Sequence, residues 1–239
     1  MDLGKFSMGV GPFLIHFTVP LTWLSATIST WGSWLVVDER KSSAHRHVAH
    51  VTIFAAKSSG EISNNVELVS MSDAKSSWRW ATDPQYLQTP EFTDAWGQPA
   101  DFRRHIDYSI RNILVEAGLQ LDGALMHAAT LMVGDKAYIA PGKSGRGKTT
   151  LFKLLGGYDS NHLHEDLAFT MDGVAYSLPC KSSHTHWQTP SPKQAPLGGF
   201  IELGRTPEVE CCEINGAAAR LRLVSSALVP PLTGSDATQ

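Results

Sequence analysis

Residues 142–149 read Gly-Lys-Ser-Gly-Arg-Gly-Lys-Thr, and the predicted fold is built outward from this stretch. The stretch matches the pattern G-x-x-x-x-G-K-[ST] at every fixed position. Its glycines allow the backbone to curl so that several N–H groups point inward, which makes a site for phosphate oxygens. The alternative is a chance match in a glycine-rich turn. A strand-like run at 137–140 and a helix-like run at 149–155 flank the stretch and favour a phosphate-binding loop.

The residue types in this loop predict a site for a nucleoside triphosphate with Mg²⁺. Lys148 would place a positive charge against the β and γ phosphates, and the Thr149 hydroxyl would be a Mg²⁺ ligand. The helix that begins near Lys148 adds its partially positive N-terminal end. We therefore expect ATP and Mg²⁺ as cofactors, although another nucleotide remains an alternative. The residues predicted to bind the nucleotide are Gly142, Lys143, Ser144, Gly145, Arg146, Gly147, Lys148, Thr149 and Thr150.

Two adjacent acidic residues, Glu165 and Asp166, follow the loop just before a strand-like run at 167–170. A phosphate-binding loop needs a carboxylate nearby to order Mg²⁺, either directly or through water. Two adjacent acids can divide the work, because one can lie near the metal while the other accepts a proton from the attacking hydroxyl. The alternative is a solvated acidic pair at a strand start. The spacing and the order of the segments favour a site.

The flanking segments predict an α/β fold in which a β-hairpin leads into the loop. Apolar residues recur at helical spacing over 101–117, and Gly118 is expected to end that helix. Gly156-Gly157 is expected to close the helix after the loop. Strands are predicted at 124–133 and 137–140, joined by a turn at Gly134-Asp135, and at 167–170 and 174–178, joined by a turn at 171–173.

Three segments together resemble the HPr serine kinase/phosphorylase family. They are Leu125-Met126-His127-Ala128-Ala129, then PGKSGRGKTTL from Pro141, then His164-Glu165-Asp166-Leu167. The resemblance is closer to the smaller HPr-kinase-related proteins of bacterial gene clusters, which include kinases that modify lasso-type precursor peptides. It covers about residues 121–178, and it implies a mixed-sheet P-loop kinase core similar to that of phosphoenolpyruvate carboxykinase.

The resemblance also implies catalytic roles for individual residues. Lys148 and the loop amides would hold the phosphates, and Thr149 would hold Mg²⁺. Glu165 matches the acid that acts as base on the acceptor hydroxyl, and Asp166 matches the acid near the metal and nucleotide. His127 matches a histidine close to the phosphates. The family usually has Asp at the position of Glu165. The longer side chain of Glu displaces the carboxylate by about one C–C bond, and the rate of transfer is sensitive to displacements of roughly 1 Å.

The composition of the 239-residue chain excludes several classes of protein. Net charge is −3, and no run of Lys and Arg suggests a nucleic-acid partner. No stretch reaches the roughly 20 apolar residues of a membrane helix, so no membrane partner is expected. The three cysteines lack a CxxC spacing, which favours a reducing cytoplasm.

We divide the chain into two predicted domains, a small, mainly β N-terminal module over 1–100 that could bind substrate and a P-loop kinase domain over 101–239. An alternating run at 48–54 predicts a strand in the first. For the histidines near it, a solvated strand is favoured over a metal site; these are His45, His47 and His50. The Pro/Ser-rich segment 181–196 is predicted to be a loop near the site. Lys193 or Arg205 could add a positive charge there, although surface charges are the simpler interpretation.

The leading hypothesis is an ATP- and Mg²⁺-dependent kinase that phosphorylates a Ser or Thr hydroxyl of a peptide or small protein. A non-catalytic nucleotide-binding regulatory module and a small-molecule kinase on the same core are the alternatives. The reverse reaction, phosphorolysis, is not implied. A homo-oligomer is left open.

Overall fold

The computed structural model describes residues 2–36, 47–55, 62–70, 75–81, 101–157, 162–180, 191–204 and 216–228. Within these ranges the structure contains ten β-strands and four α-helices. The chain divides into two compact units, of which the first contains Met1–Ile113 and the second Leu114–Leu178, with the residues after Leu178 shared between them. The division falls inside a helix, and each unit is described below by itself.

The first unit contains a five-stranded sheet in which the strands follow one another in chain order. Neighbouring strands are antiparallel except for β2 and β3, which are parallel and are therefore joined by a crossover that includes the helix α1. The elements are β1 Leu3–Val10, β2 Phe13–Pro20, α1 Leu24–Trp31, β3 His47–Ala55, β4 Ile62–Ser70 and β5 Lys75–Ala81. The predicted mainly β character of the N-terminal region and the predicted strand at 48–54 are confirmed.

One face of this sheet supplies an apolar core. Residues alternate between the two faces of a strand, so every second side chain of β1, β2 and β3 points to the same side. On that side lie the fully or almost fully buried Met8, Val10, Phe13, Ile15, Phe17, Val19, Ala49 and Val51. Trp31 of α1 is also buried, and its indole N–H donates to the carbonyl oxygen of Pro179, 2.8 Å away, in the same unit.

The helix α2, Asp101–Gln120, confirms the predicted amphipathic helix and extends beyond its predicted end. Ile110, Ile113 and Leu114 are fully buried. The prediction that Gly118 ends the helix is wrong. A Cβ at Gly118 would lie 3.0 Å from the carbonyl oxygen of Gly123, so this glycine permits close packing of helix against strand rather than a helix stop.

The second unit contains a closed barrel of five strands in the order β10-β7-β6-β8-β9. All neighbours are antiparallel except β10 and β7, which are parallel. The elements are β6 Gly123–Val133, β7 Lys136–Pro141, α3 Lys148–Leu154, β8 Leu167–Met171, β9 Val174–Tyr176, β10 Gln194–Phe200 and α4 Gly216–Val224. The two predicted hairpins are confirmed. The tight turn of the second has positive φ at both Asp172 and Gly173, as a two-residue hairpin turn requires.

The structure thus has mixed α/β content, mixed strand directions and a small N-terminal β-sheet, as predicted. Closure into a barrel is not a feature that the sequence suggested. Closure of the barrel requires β10, which begins at Gln194. The prediction that the loop extends through residues 194–196 is therefore wrong. Strand β7 ends at Pro141, directly before the glycine-rich loop. Within the described part of the chain, no helix is long and apolar enough to cross a membrane.

Candidate phosphate-binding site

The glycine-rich loop connects the end of β7 directly to the start of α3. Gly145 and Gly147 have φ of 79° and 93°, backbone angles that residues with a Cβ rarely adopt. Gly147 is the residue before the helix, and its left-handed conformation sets the direction in which α3 leaves the loop. Gly156 and Gly157, with φ of 98° and 59°, follow α3 as predicted. The other residues at the tip of the loop, Lys143, Ser144 and Arg146, are exposed.

Lys148 lies inside the loop rather than in solvent. Only 5% of the residue is exposed. Its ammonium donates to the carbonyl oxygens of Gly142 at 2.6 Å and Lys143 at 3.2 Å. Burial lowers the pKa of Lys148, and the negative charge of Asp166 opposes that shift. The loop therefore holds a cation at its centre, near a carboxylate of the acidic pair.

Strand β6 brings the loop and the acidic pair together. On one side of β6, the N–H of Gly142 donates to the carbonyl oxygen of His127 at 3.3 Å. On the other side, the N–H of Ala128 donates to the carbonyl oxygen of Asp166 at 3.1 Å. The start of the loop and the acidic pair thus flank the same two residues of one strand. This proximity depends on strand pairing.

The two acidic side chains have different partners. The Thr149 hydroxyl donates to Glu165 Oε1 at 3.4 Å, and Glu165 is almost fully buried. The Asp166 carboxylate instead lies 3.4 Å from Nδ1 of His127, and both of these side chains are partly exposed. The structure therefore pairs Glu165 with the hydroxyl predicted to bind Mg²⁺, and Asp166 with the predicted phosphate-side histidine.

The His127 side chain lies on the same face of β6 as the helix α3. His127, Ala129 and Leu131 alternate on one face of the strand. Ala129 and Leu131 pack with Phe152 of α3 in one buried cluster. The predicted site residues His127, Lys148, Thr149, Glu165 and Asp166 are therefore brought together, whereas Thr150 is exposed on α3.

His164 precedes the acidic pair, and its hydrogen bonds give it a structural role that the sequence did not indicate. It is fully buried, and its Nδ1 accepts hydrogen bonds from the N–H groups of Asp166 at 3.1 Å and Leu167 at 3.0 Å. Its carbonyl oxygen accepts from the N–H of Thr130 at 2.7 Å. An imidazole nitrogen that accepts two hydrogen bonds carries no proton, so the ring is neutral with its proton on Nε2. His164 thus fixes the backbone turn that carries both acids.

The signal that could have identified His164 is its position just before the acidic pair. A side-chain acceptor that bonds the N–H two residues further on makes the type of turn that Asp and Asn commonly form. Histidine can do the same through Nδ1. The hydrogen bond from the N–H of Thr130 to the carbonyl oxygen of His164 joins the turn to β6. This bond depends on tertiary structure, so no local sequence pattern predicts it.

A second buried histidine, His162, connects α3 to β6. Its Nδ1 accepts from the N–H of Met132 at 2.9 Å, so its Nε2 carries the proton and donates to the carbonyl oxygen of Leu155 at 3.1 Å. Burial lowers the pKa of His162, partly opposed by the bond to Leu155. Because Leu155 caps the C-terminal end of α3, this ring holds the end of the helix opposite the loop.

In the described ranges, no group of three or more His, Cys, Asp or Glu side chains could hold a metal ion. A Mg²⁺ site of the predicted kind does not need such a group. Mg²⁺ usually takes one or two protein oxygens and completes its octahedron with water and nucleotide phosphates. The Thr149 hydroxyl beside the Glu165 carboxylate fits that donor set.

Two further predictions concern cations near the site. The backbone of Lys193 pairs with Ser177, whose N–H and hydroxyl both donate to the Lys193 carbonyl oxygen, at 2.9 and 3.1 Å. The role proposed for the Lys193 side chain stays a prediction. Arg205 lies outside the described residues.

No protein-family model, curated protein or solved structure matches this chain.

Proposed function

We propose that this protein is an ATP- and Mg²⁺-dependent kinase that transfers the γ-phosphate to a Ser or Thr hydroxyl of a peptide or small protein, on a P-loop core of the HPr-kinase type. The observation that carries the proposal is the arrangement around β6. The start of a glycine loop with a buried lysine and the second residue of the acidic pair both bond to residues 127–128. The Thr149 hydroxyl lies next to the Glu165 carboxylate, and the Asp166 carboxylate lies next to His127. Phosphoryl transfer requires positioning and charge stabilisation from such groups.

In the proposed reaction, the acceptor oxygen bonds to the γ-phosphorus while the bond from that phosphorus to the β–γ bridging oxygen breaks. ADP leaves with the electron pair, and the acceptor proton passes to a carboxylate. Lys148 exchanges its bonds to the loop carbonyls for bonds to phosphate oxygens. Mg²⁺, when bound, neutralises charge on those oxygens.

The distances favour an exchange of the roles that the resemblance implies for the two acids. Glu165 contacts Thr149, so we assign it to the metal side. Asp166 lies beside His127 and near Lys148, and its side chain is more accessible than the almost fully buried Glu165, so we assign it as the base for the acceptor hydroxyl. The extra methylene of Glu165 then lengthens the reach to a metal ion rather than to the acceptor.

The test uses the full chain, γ-labelled ATP and a panel of Ser- and Thr-containing peptides and small proteins. We expect Lys148→Ala to lower transfer by about 10²–10³-fold, the cost of removing one preorganised charge donor. Lys153→Ala is the matched control, because it removes an exposed lysine from the same helix. Circular dichroism establishes that both variants are folded. Transfer at the wild-type rate in Lys148→Ala would refute the proposal.

The same assay separates the two acids. Glu165→Gln should raise the Mg²⁺ concentration needed for half-maximal rate, because it weakens the metal side. Asp166→Asn should lower kcat by about 10²-fold or more, with little change in that Mg²⁺ requirement, because it removes the base. The opposite pattern would restore the roles implied by the resemblance.

A regulatory module that binds nucleotide without transferring phosphate would give a different result. It would bind ATP with Mg²⁺, and Lys148→Ala would abolish that binding, but no acceptor would be labelled.

A further inference from the structure

A row of polar residues crosses the N-terminal sheet on the side opposite its apolar core. Ser7 of β1 is the register partner of His16 on β2, and His16 is the register partner of His50 on β3. The next register position, on β4, is Glu67. Directly paired residues of neighbouring strands share a face of the sheet. Strand pairing thus places a hydroxyl and two imidazoles side by side.

Two contacts link the described members of this row. The rings of His16 and His50 stack with centroids 4.9 Å apart and planes inclined by 21°. The Ser7 hydroxyl lies 2.7 Å from Nδ1 of His16. The two imidazoles are therefore already adjacent, and one of them is oriented by a hydroxyl on its Nδ1 side.

The row is accessible from solvent. His50 is exposed, and Ser7 and His16 are partly exposed. Their neighbours along the strands, such as Ile15, Phe17 and Val51, are buried on the other face. An ion could therefore reach the two imidazoles without disturbing the core.

From this geometry we infer that His16 and His50 form a binding site for a divalent transition-metal ion such as Zn²⁺, Ni²⁺ or Cu²⁺. Neutral imidazole nitrogen is a preferred ligand for these ions. A metal on Nε2 of His16 leaves the proton on Nδ1, which then donates to the Ser7 hydroxyl. A hydrogen bond of this kind commonly orients a metal-ligating histidine. Solvent molecules complete the coordination in a two-histidine site.

Metal binding requires a small rearrangement of the two side chains. A metal ion lies in the plane of the imidazole that binds it, whereas stacked rings turn their faces toward each other. The rings must therefore rotate about their side-chain bonds to turn nitrogen atoms toward a shared ion. Once bound, the ion links β2 to β3, the parallel pair in the sheet. This site is independent of the proposed kinase chemistry.

The test is calorimetric titration of the metal-free full chain with Ni²⁺ and Zn²⁺, in excess Mg²⁺ to occupy oxygen-ligand sites. We expect one ion per chain, and about tenfold or greater loss of affinity in His16→Gln and in His50→Gln. Ser7→Ala should weaken binding less, because it removes only an orienting bond. His47→Gln is the matched control: His47 lies on β3 on the opposite face, with its ring against Phe13. Its affinity should remain that of the wild type.

Two measurements keep the test decisive if a variant is destabilised. Cu²⁺ bound to the wild-type chain should show nitrogen hyperfine splitting from two imidazoles in its electron paramagnetic resonance spectrum. Metal should also raise Tm in the wild type and in His47→Gln but not in His50→Gln, because a ligand stabilises only the state that binds it. The inference is refuted if the wild type binds no metal, or if both histidine variants bind it with unchanged affinity.

Discussion

The N-terminal sheet and the surroundings of strand β6 place their polar side chains differently. In the N-terminal sheet, the buried face of β1, β2 and β3 is apolar, and the histidine pair lies on the accessible face. Around β6, Lys148, His162, His164 and Glu165 are themselves buried and bonded to backbone or side-chain groups. In the sheet, the apolar core and the histidine pair therefore lie on opposite faces, whereas around β6 several buried polar side chains also belong to the candidate site.

This difference predicts how the two regions respond to substitution. A buried polar group that loses its partner costs free energy because its desolvation is no longer compensated. In the barrel, that cost falls on groups that also position the candidate site. In the N-terminal sheet, a change to the core should affect stability without changing the phosphate transfer proposed for the glycine-rich loop.

The largest expected effect on stability is that of Phe17→Ala in the N-terminal sheet. Phe17 is 1% exposed and its ring stacks on Phe6 with centroids 4.9 Å apart. Truncation of a buried phenylalanine costs about 3–5 kcal/mol of unfolding free energy. Chemical denaturation should show this loss, while kcat for the proposed phosphate transfer, measured well below Tm, should stay at the wild-type value. A fall in kcat of tenfold or more would show that the two regions are not separable in this way.

The sequence predicts the parts of the structure whose determinants are close together along the chain. The loop, its two flanking elements, the hairpin turns and the helix α2 follow from local patterns of glycine, polarity and periodicity. The position of the acidic pair after the loop predicts that it belongs to the site, and its two carboxylates lie 3.4 Å from the Thr149 hydroxyl and from the His127 ring.

Features that depend on partners from other strands were not predicted. The sequence suggested His45, His47 and His50 as a histidine group, but the ring that stacks on His50 is that of His16, on another strand. Barrel closure by β10 was missed because its sequence, QAPLGGF, is typical of a loop. Gly198 of this segment has a packing role, since a Cβ at that position would lie 2.7 Å from the Tyr138 ring.

An intermediate effect is expected at His164, where stability and transfer should fall together. Asn can place its side-chain oxygen near the position of Nδ1, whereas Gln reaches the position of Nε2 and leaves the N–H groups of Asp166 and Leu167 without their acceptor. We expect His164→Gln to cost about 1–3 kcal/mol of unfolding free energy. It should also lower kcat by about tenfold or more, because displacement of a positioned group by about 1 Å can cost up to 10²-fold.

His164→Asn is the matched control for that experiment, since it restores the acceptor and should recover most of the lost kcat and stability. A merely space-filling role for the ring would instead make Gln, the larger side chain, the better replacement. The order of the two variants therefore decides whether Nδ1 positions the acidic pair.

The smallest expected effect is a pH dependence of stability that arises from His162. Burial lowers its pKa in the folded chain below the ordinary value of 6.5, so the unfolded chain takes up the proton first as pH falls. The stabilisation by the neutral ring is therefore complete above about pH 6.5 and is lost as pH falls from there toward the folded-state pKa, by at most about 1.4 kcal/mol per pH unit. Urea denaturation at about pH 7.5 and pH 5.5 measures this loss.

The control for the His162 experiment is His162→Asn, which keeps an acceptor near the Met132 N–H but has no group that titrates in this range. The variant should be less stable than the wild type at pH 7.5, because it loses the bond to the Leu155 carbonyl. The difference between the two proteins should narrow as the pH falls, since only the wild type takes up a proton at this position on unfolding. A difference that stays constant between the two pH values would mean that His162 titrates alike in the folded and unfolded chains. The two hydrogen bonds of the His162 ring, to Met132 and to Leu155, would then stabilise the fold by an amount that does not depend on pH.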